Sequence, residues 1–188
     1  VANCAAFAVQ HVAAARIEIW FALWPLQAVD GEHLFRVWQI LSYSFLHSID
    51  DPLHIIFNLY GLWLFGGAVE GRVGPWRFLT CYFASVATAA LGQLSVPALL
   101  GAAPEPTIGA SGGVFGLLLA YAYLCPHERL QLIFPPIAMP AWLFAAAYAG
   151  TELVLGVTGT QAGVAHFAHL GGMVGSGLVI TGWRKWRA

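Results

Sequence analysis

The chain has 188 residues, 59% of them hydrophobic and 9% charged, with mean hydropathy +0.72, whereas a soluble domain carries roughly 25% charged residues. A net charge of −1 with no run of like charges excludes a basic nucleic-acid-binding surface. The composition is that of a membrane protein with room for roughly five to seven spans of about 20 residues each and no separate soluble domain, so its partners are lipid and apolar segments.

The first apolar segment runs to about Ala15 and begins at Val1 without an initiator Met or a basic n-region, so its start reads as truncated and what precedes it as unknown. Residues 16–51 mix Arg16, Glu18, Asp30, Glu32, Arg36, Asp50 and Asp51 with Trp20, Trp24, Phe35, Trp38 and Tyr43, the composition of a large loop at the membrane interface. A second span is expected from Pro52 to Val69, closed by the charged turn Glu70-Gly-Arg-Val-Gly-Pro-Trp-Arg77. The third covers Trp76 to Ser95 and leads into a loop holding Pro97, Pro104 and Pro106. The fourth lies between that loop and Pro126. After the polar turn Cys125-Pro-His-Glu-Arg129, Pro135, Pro136 and Pro140 delay the fifth helix to about 137–156. A loop over 156–163 then precedes the sixth, which runs to Trp183-Arg-Lys-Trp-Arg187.

Residues 1–188 thus read as one all-α polytopic domain: a bundle of six transmembrane helices with a large outer interfacial loop between the first two spans. Of the eight Lys and Arg, Arg72, Arg77, Arg129, Arg184, Lys185 and Arg187 follow spans two, four and six, which places both termini in the cytoplasm. Cys4, Cys81 and Cys125 are widely spaced in apolar surroundings and read as small buried hydrophobes.

The stretch Ile108-Gly-Ala-Ser-Gly-Gly-Val-Phe-Gly116 contains G-x-S-x-G, but Ala103-Pro-Glu-Pro-Thr-Ile108 is a poor strand for a soluble nucleophile elbow. A helix over 111–125 is about 22 Å long, too short for a core of about 30 Å. With its cytoplasmic end fixed by Pro126 and Arg129, Ser111 is expected roughly 8 Å below the outer surface, in a wet recess.

Polar groups inside spans are costly and mark function. His54 and Asn58 share one helix face, and His166 and His169 lie three apart in the sixth span. A histidine serves as general base for a serine, and Gly112-x-x-x-Gly116 facing Gly171/Gly175 and Gly172/Ser176 lets the two helices come close enough for His169 to reach Ser111. The Ser111 N–H at a helix start, the Asn58 amide and a His54 ring N–H supply candidate oxyanion donors. No carboxylate is near His169 in sequence, so a Ser/His dyad is expected rather than a triad. Glu152 reads as a buried acid hydrogen-bonded between helices, His166 as a loop or helix-start residue, His47 as orienting the loop that leads to His54, and His127 as a solvated turn. A metal site built from His54, His166 and His169 lacks H-E-x-x-H. A packing motif without chemistry, and a transporter or channel, are the bland alternatives.

These residues resemble the rhomboid intramembrane serine proteases of the bacterial, six-span type. The resemblance rests on the long outer loop, His54-x-x-x-Asn58, Glu70-x-Arg72-x-Gly74, Gly109-Ala-Ser111-Gly112 and Ala168-His169-x-x-Gly172, and covers nearly the whole chain. It implies Ser111 as nucleophile and His169 as base. It further implies His54, Asn58 and the Ser111 N–H as oxyanion stabilisers, with Gly109 letting the backbone approach substrate. Cleavage of transmembrane segments of other proteins near the outer face, without cofactor or metal, follows from it, as does a multi-pass placement in the bacterial inner membrane. Phe115 stands where several relatives have Tyr, and Phe35-Arg36 where a Trp-Arg pair is frequent. The fifth helix and the 156–163 loop are the expected gate and lid, and a relative that binds membrane clients without cleaving them is the rival within the family.

Overall fold

Proline and glycine set most of the helix boundaries. The computed structural model describes residues 1–27, 33–101, 105–131, 136–160 and 164–185. Asp30, Glu32, Pro104, Pro135 and Arg187 therefore lie outside the described residues, as does part of the expected lid. Helix α1 (Ala2–Phe21) is followed by the short α2 (Gln39–Ser42), then α3 (Pro52–Gly61), α4 (Gly67–Val73), α5 (Pro75–Leu99), α6 (Ser111–Leu124), α7 (Ala141–Thr158) and α8 (His166–Lys185). A π-turn over Leu62–Gly66 joins α3 to α4 as one continuous rod.

Among the described residues, three helical stretches are long and apolar enough to cross a membrane: Pro52–Val73, Pro75–Leu99 and Ala141–Thr158. The shorter α6 is apolar throughout; its 14 residues reach about 21 Å.

Several boundaries differ from those read in the sequence. Helix α1 continues past Ala15 to Phe21 through a kink at Ala13, carrying Arg16 and Glu18 on helix rather than loop. Helix α5 continues past Ser95 with Pro97 in its last turns, where a missing N–H forfeits a single bond to the carbonyl four residues earlier. The stretch after Cys125 is not plain turn. Strands β1 (Arg129–Gln131) and β2 (Ala138–Pro140) pair antiparallel, Leu130 opposite Met139, and α7 starts only at Ala141 because the chain up to Pro140 is extended.

Between spans the backbone is tied by buried polar side chains, because its N–H and C=O groups need partners away from water. Gln39 is fully buried: its Oε1 accepts from the Trp24 and Arg36 N–H groups, and its amide donates to the Trp20 and Leu34 carbonyls. Gln10 exchanges two 3.0 Å bonds with the backbone of His47. Arg36 donates to the Ile19 carbonyl and lies over the Trp20 ring, 4.2 Å from its centroid. On the side where α4 ends, Arg72 reaches Glu128 at 2.7 Å, and the Tyr121 hydroxyl donates to the same carboxylate, holding Glu128 below the usual carboxylate range. Gly74 turns the chain from α4 into α5 at φ +83°, a conformation side chains resist.

Helix α8 packs through two different glycine edges, and this corrects the facing expected from sequence. A Cβ on Gly172 would strike the Gly112 carbonyl, and one on Gly116 would meet the Gly172 carbonyl at 2.8 Å and collide with Ser85. Gly171 and Gly175 instead face α5, where an added Cβ would meet the Thr88 carbonyl at 2.6 Å and the Ala84 carbonyl at 2.7 Å. Ser176 also turns to α5, its hydroxyl 3.1 Å from the Cys81 sulfur. With lipid as apolar as any side chain, such backbone-to-backbone closeness is what holds helices together in a bilayer. It clamps α5, α6 and α8 into one rigid unit around Leu117, Cys81 and Val86.

Candidate active site

The loop before α6 is fixed at two points. Leu23 and Thr107 exchange backbone bonds of 2.9 and 3.0 Å, and the Gly109 N–H donates to the Tyr43 carbonyl at 3.0 Å, while the Tyr43 hydroxyl is anchored on the Val86 carbonyl. This delivers Ser111 as the first residue of α6, where its N–H has no acceptor within the helix. Ser111 faces a recess of about 450 Å³ whose lining includes His54, Gln93, Glu105, Thr107 and His169.

The glycine contact between α6 and α8 brings His169 to this serine: Nε2 lies 2.8 Å from Ser111 Oγ. Phe115, one turn further along α6, stacks flat on the imidazole. On its other side Phe115 meets Tyr148 of α7 edge-on.

His54 stands across the recess. Its Nδ1 accepts from the Ser48 N–H at 3.2 Å, so the ring proton sits on Nε2. That nitrogen is 2.8 Å from where a Cβ on Gly109 would be. Gly109, at φ +124°, is thus the residue whose missing side chain makes room for a ring N–H beside Ser111. Asn58 is placed differently from its partner in the motif. Its amide donates to the His54 carbonyl at 2.8 Å, its Oδ1 is buried without a partner among the described residues, and it is not part of the recess lining. One amide hydrogen of Asn58 remains uncommitted.

Sequence separation hides the carboxylate at this site. Glu152 of α7, buried as expected and bonded between helices, lies 2.6 Å from His166 Nδ1 and 2.9 Å from His169 Nδ1, all through one oxygen. The signal for it is helical spacing: His166 and His169 sit on one face of α8, and the only acid of the neighbouring helix is the one available partner. Donor atoms of the three residues lie within 4.8 Å of one another. Ligands on a tetrahedral zinc with bonds near 2.0–2.1 Å are about 3.3 Å apart, so separations of 2.6 and 2.9 Å are those of a proton-sharing cluster. His166 is the first residue of α8, as its position suggested, and its Nε2 lies 3.3 Å from the Thr160 carbonyl. His47 is fully buried on the loop that leads to His54, their ring centroids 5.3 Å apart.

A helical bundle with apolar spans, in which a serine hydroxyl lies 2.8 Å from a histidine ring beside a recess, defines an integral membrane protein with a hydrolase-like site. Residues 34–186 match the Rhomboid domain family, and the chain belongs to that family. It is 30% identical over 167 residues to "Rhomboid protein 1, mitochondrial" of Saccharomyces cerevisiae, and 29% identical over 168 residues to "Rhomboid protease GlpG" of Yersinia pestis and of Yersinia pseudotuberculosis. Each alignment takes in 87% of this chain, but only 46% of the yeast protein and 52% of the Yersinia ones, so the chain spans about half the length of these relatives. One of these relatives is mitochondrial by name, so the family resemblance by itself does not select a bacterial membrane.

Proposed function

We propose that this protein is an intramembrane serine endopeptidase that cleaves transmembrane segments of other membrane proteins near the outer face. The 2.8 Å contact between Ser111 Oγ and His169 Nε2 inside a recess carries the reading. His169 Nε2 takes the Ser111 proton as Oγ attacks the scissile carbonyl carbon, and the proton passes to the leaving amine as the C–N bond breaks. The resulting acyl-enzyme ester is hydrolysed by water, with His169 again as base. The Ser111 N–H and the His54 Nε2–H are the donors best aimed at the developing oxyanion, and Asn58, whose amide holds the His54 carbonyl, supports it from behind His54.

Six spans are proposed for the whole domain, with α1, α6 and α8 completing the three long apolar stretches. Both termini are proposed to face the cytoplasm, a reading the Lys and Arg positions support, with a bacterial inner membrane as the proposed location and the recess opening outward. Substrate enters from the bilayer past α7, the expected gate, and needs neither cofactor nor metal.

The test is labelling of the purified protein by a fluorophosphonate, alongside Ser111→Ala and His169→Ala and cleavage of a transmembrane substrate in vesicles. Labelling confined to chains carrying Ser111, with cleavage lost in both variants, is expected. Equal labelling of wild type and Ser111→Ala sinks the reading. Asn58→Ala is expected to lower turnover while leaving Ser111 labelled.

A further inference from the structure

Glu152 and His166 form with His169 a buried cluster of titratable side chains, two of which have no step in the serine–histidine reaction, and its proton arrangement is constrained. The Ser111 hydroxyl can donate to His169 Nε2 only if that nitrogen is bare, which puts the ring proton on Nδ1. Nδ1 points into the cluster, 2.9 Å from Glu152 Oε2 but off the N–H axis, so the described residues leave it without an aligned hydrogen bond. The aligned bond of that oxygen goes to His166 Nδ1 at 2.6 Å, and His166 is braced in turn against the Thr160 carbonyl. The carboxylate is therefore held by one imidazole and presented, slightly misaligned, to the other.

We propose that Glu152, held by His166, is the positioning residue for His169: it keeps the ring proton on Nδ1 so that Nε2 faces Ser111 bare, and supports the imidazolium formed during attack. The proton from Ser111 goes to Nε2, the Nδ1 proton stays where it is, and Glu152 remains a carboxylate throughout. Catalytic hydrogen bonds are often loose before substrate arrives and tighten in the reacting complex, which suits the off-axis contact. The inference rests on the serine hydrolase reading and adds a carboxylate to the expected dyad.

Two measurements test it. Nitrogen-15 NMR of the histidine rings in the wild-type protein, with His169 assigned by loss of its signal in His169→Asn, is expected to report the Nδ1–H tautomer; an Nε2–H tautomer overturns the proposal without any change at Glu152. Turnover of a transmembrane substrate is then compared for Glu152→Gln, which keeps one acceptor oxygen, and Glu152→Leu, which keeps none. Against the roughly 10²- to 10⁴-fold that a positioned acid–base group contributes, kcat is expected to fall about tenfold in the first and about 100-fold in the second, with KM within about twofold. Folded variants with wild-type kcat, or with losses confined to KM, overturn it. If Glu152→Leu does not fold, the tautomer and Glu152→Gln still decide. Absence of Ser111 labelling in the wild type strikes the hydrolase reading instead, whereas normal labelling with indifferent Glu152 variants strikes this inference alone.

Discussion

The Phe115 ring lies stacked on the His169 imidazole, centroids 4.2 Å apart and planes 3° from parallel. One residue on α6 thus sets the plane of the base, and a second residue one turn earlier, Ser111, donates its hydroxyl hydrogen to Nε2. Phe115→Ala removes that platform. Turnover is expected to fall by about tenfold or more, with an unfolding cost of about 2–3 kcal/mol, below the usual Phe→Ala range because the ring is only partly buried. Phe115→Tyr keeps the stacked face and is expected to retain kcat within a few-fold. Steady-state cleavage and thermal unfolding in micelles check both, and an alanine variant with wild-type kcat would refute the role.

Gly109 makes a sharper case because two independent obstacles meet there. Its φ of +124° is one that side chains resist, and a Cβ would lie 2.8 Å from His54 Nε2. Gly109→Ala is expected to cost about 1–3 kcal/mol in strain and to push His54 away from the oxyanion position. Fluorophosphonate labelling of Ser111 should then slow by at least about tenfold, one oxyanion donor being commonly worth 10²–10³. Labelling at the wild-type rate would show that the His54 N–H takes no part.

Much of the fold could be read in advance because proline, glycine and charge mark span ends one by one: Pro52 and Ser111 open helices at the positions expected, and α5 opens at Pro75, one residue before the expected Trp76. The meeting of Ser111 with His169 was equally legible, since glycines on both helices can serve little purpose but closeness. What stayed hidden depends on rotation and register about helix axes. Nothing in the spacing says which glycine edge of α8 meets α6 and which meets α5, because both edges repeat every four residues. Glu152 was visible as the only acid of the last two spans, yet its distance from His169 is set by how α7 leans on α8. The β1–β2 pair escaped because three-residue strands carry too little pattern to separate from turn.

The two edges of α8 offer a comparison within one helix. Gly172→Ala drives a methyl group into the Gly112 carbonyl and must part α6 from α8, stretching the Ser111–His169 contact. Its kcat is expected to drop by at least about 100-fold, since a misplacement of about 1 Å already costs that much. Gly171→Ala presses on α5 instead, with the Thr88 carbonyl at 2.6 Å, and is expected to lower stability more than turnover of the folded fraction. Gly182→Ala meets nothing within 4 Å and should leave both unchanged. Kinetics normalised to active sites by fluorophosphonate titration separate the three, and equal kcat for Gly172→Ala and Gly182→Ala would contradict the packing account.

His47 gives stability a pH dependence of known sign. Its ring is buried on the loop before α3, neither nitrogen has a well-aligned hydrogen bond among the described residues, and burial together with the neighbouring His54 outweighs a backbone contact at Phe45 and pushes it down to about 4. The unfolded chain takes up this proton near the ordinary histidine value of about 6.5. Between those values the unfolded state binds more protons than the folded one, so the contribution is complete above about pH 6.5 and is lost as pH falls toward about 4. The span corresponds to at most about 3 kcal/mol. His47→Gln cannot take up the proton, so its unfolding midpoint should decline less than the wild type's between pH 7 and pH 4.5. Parallel declines in the two proteins would mean that His47 is not buried in its neutral form.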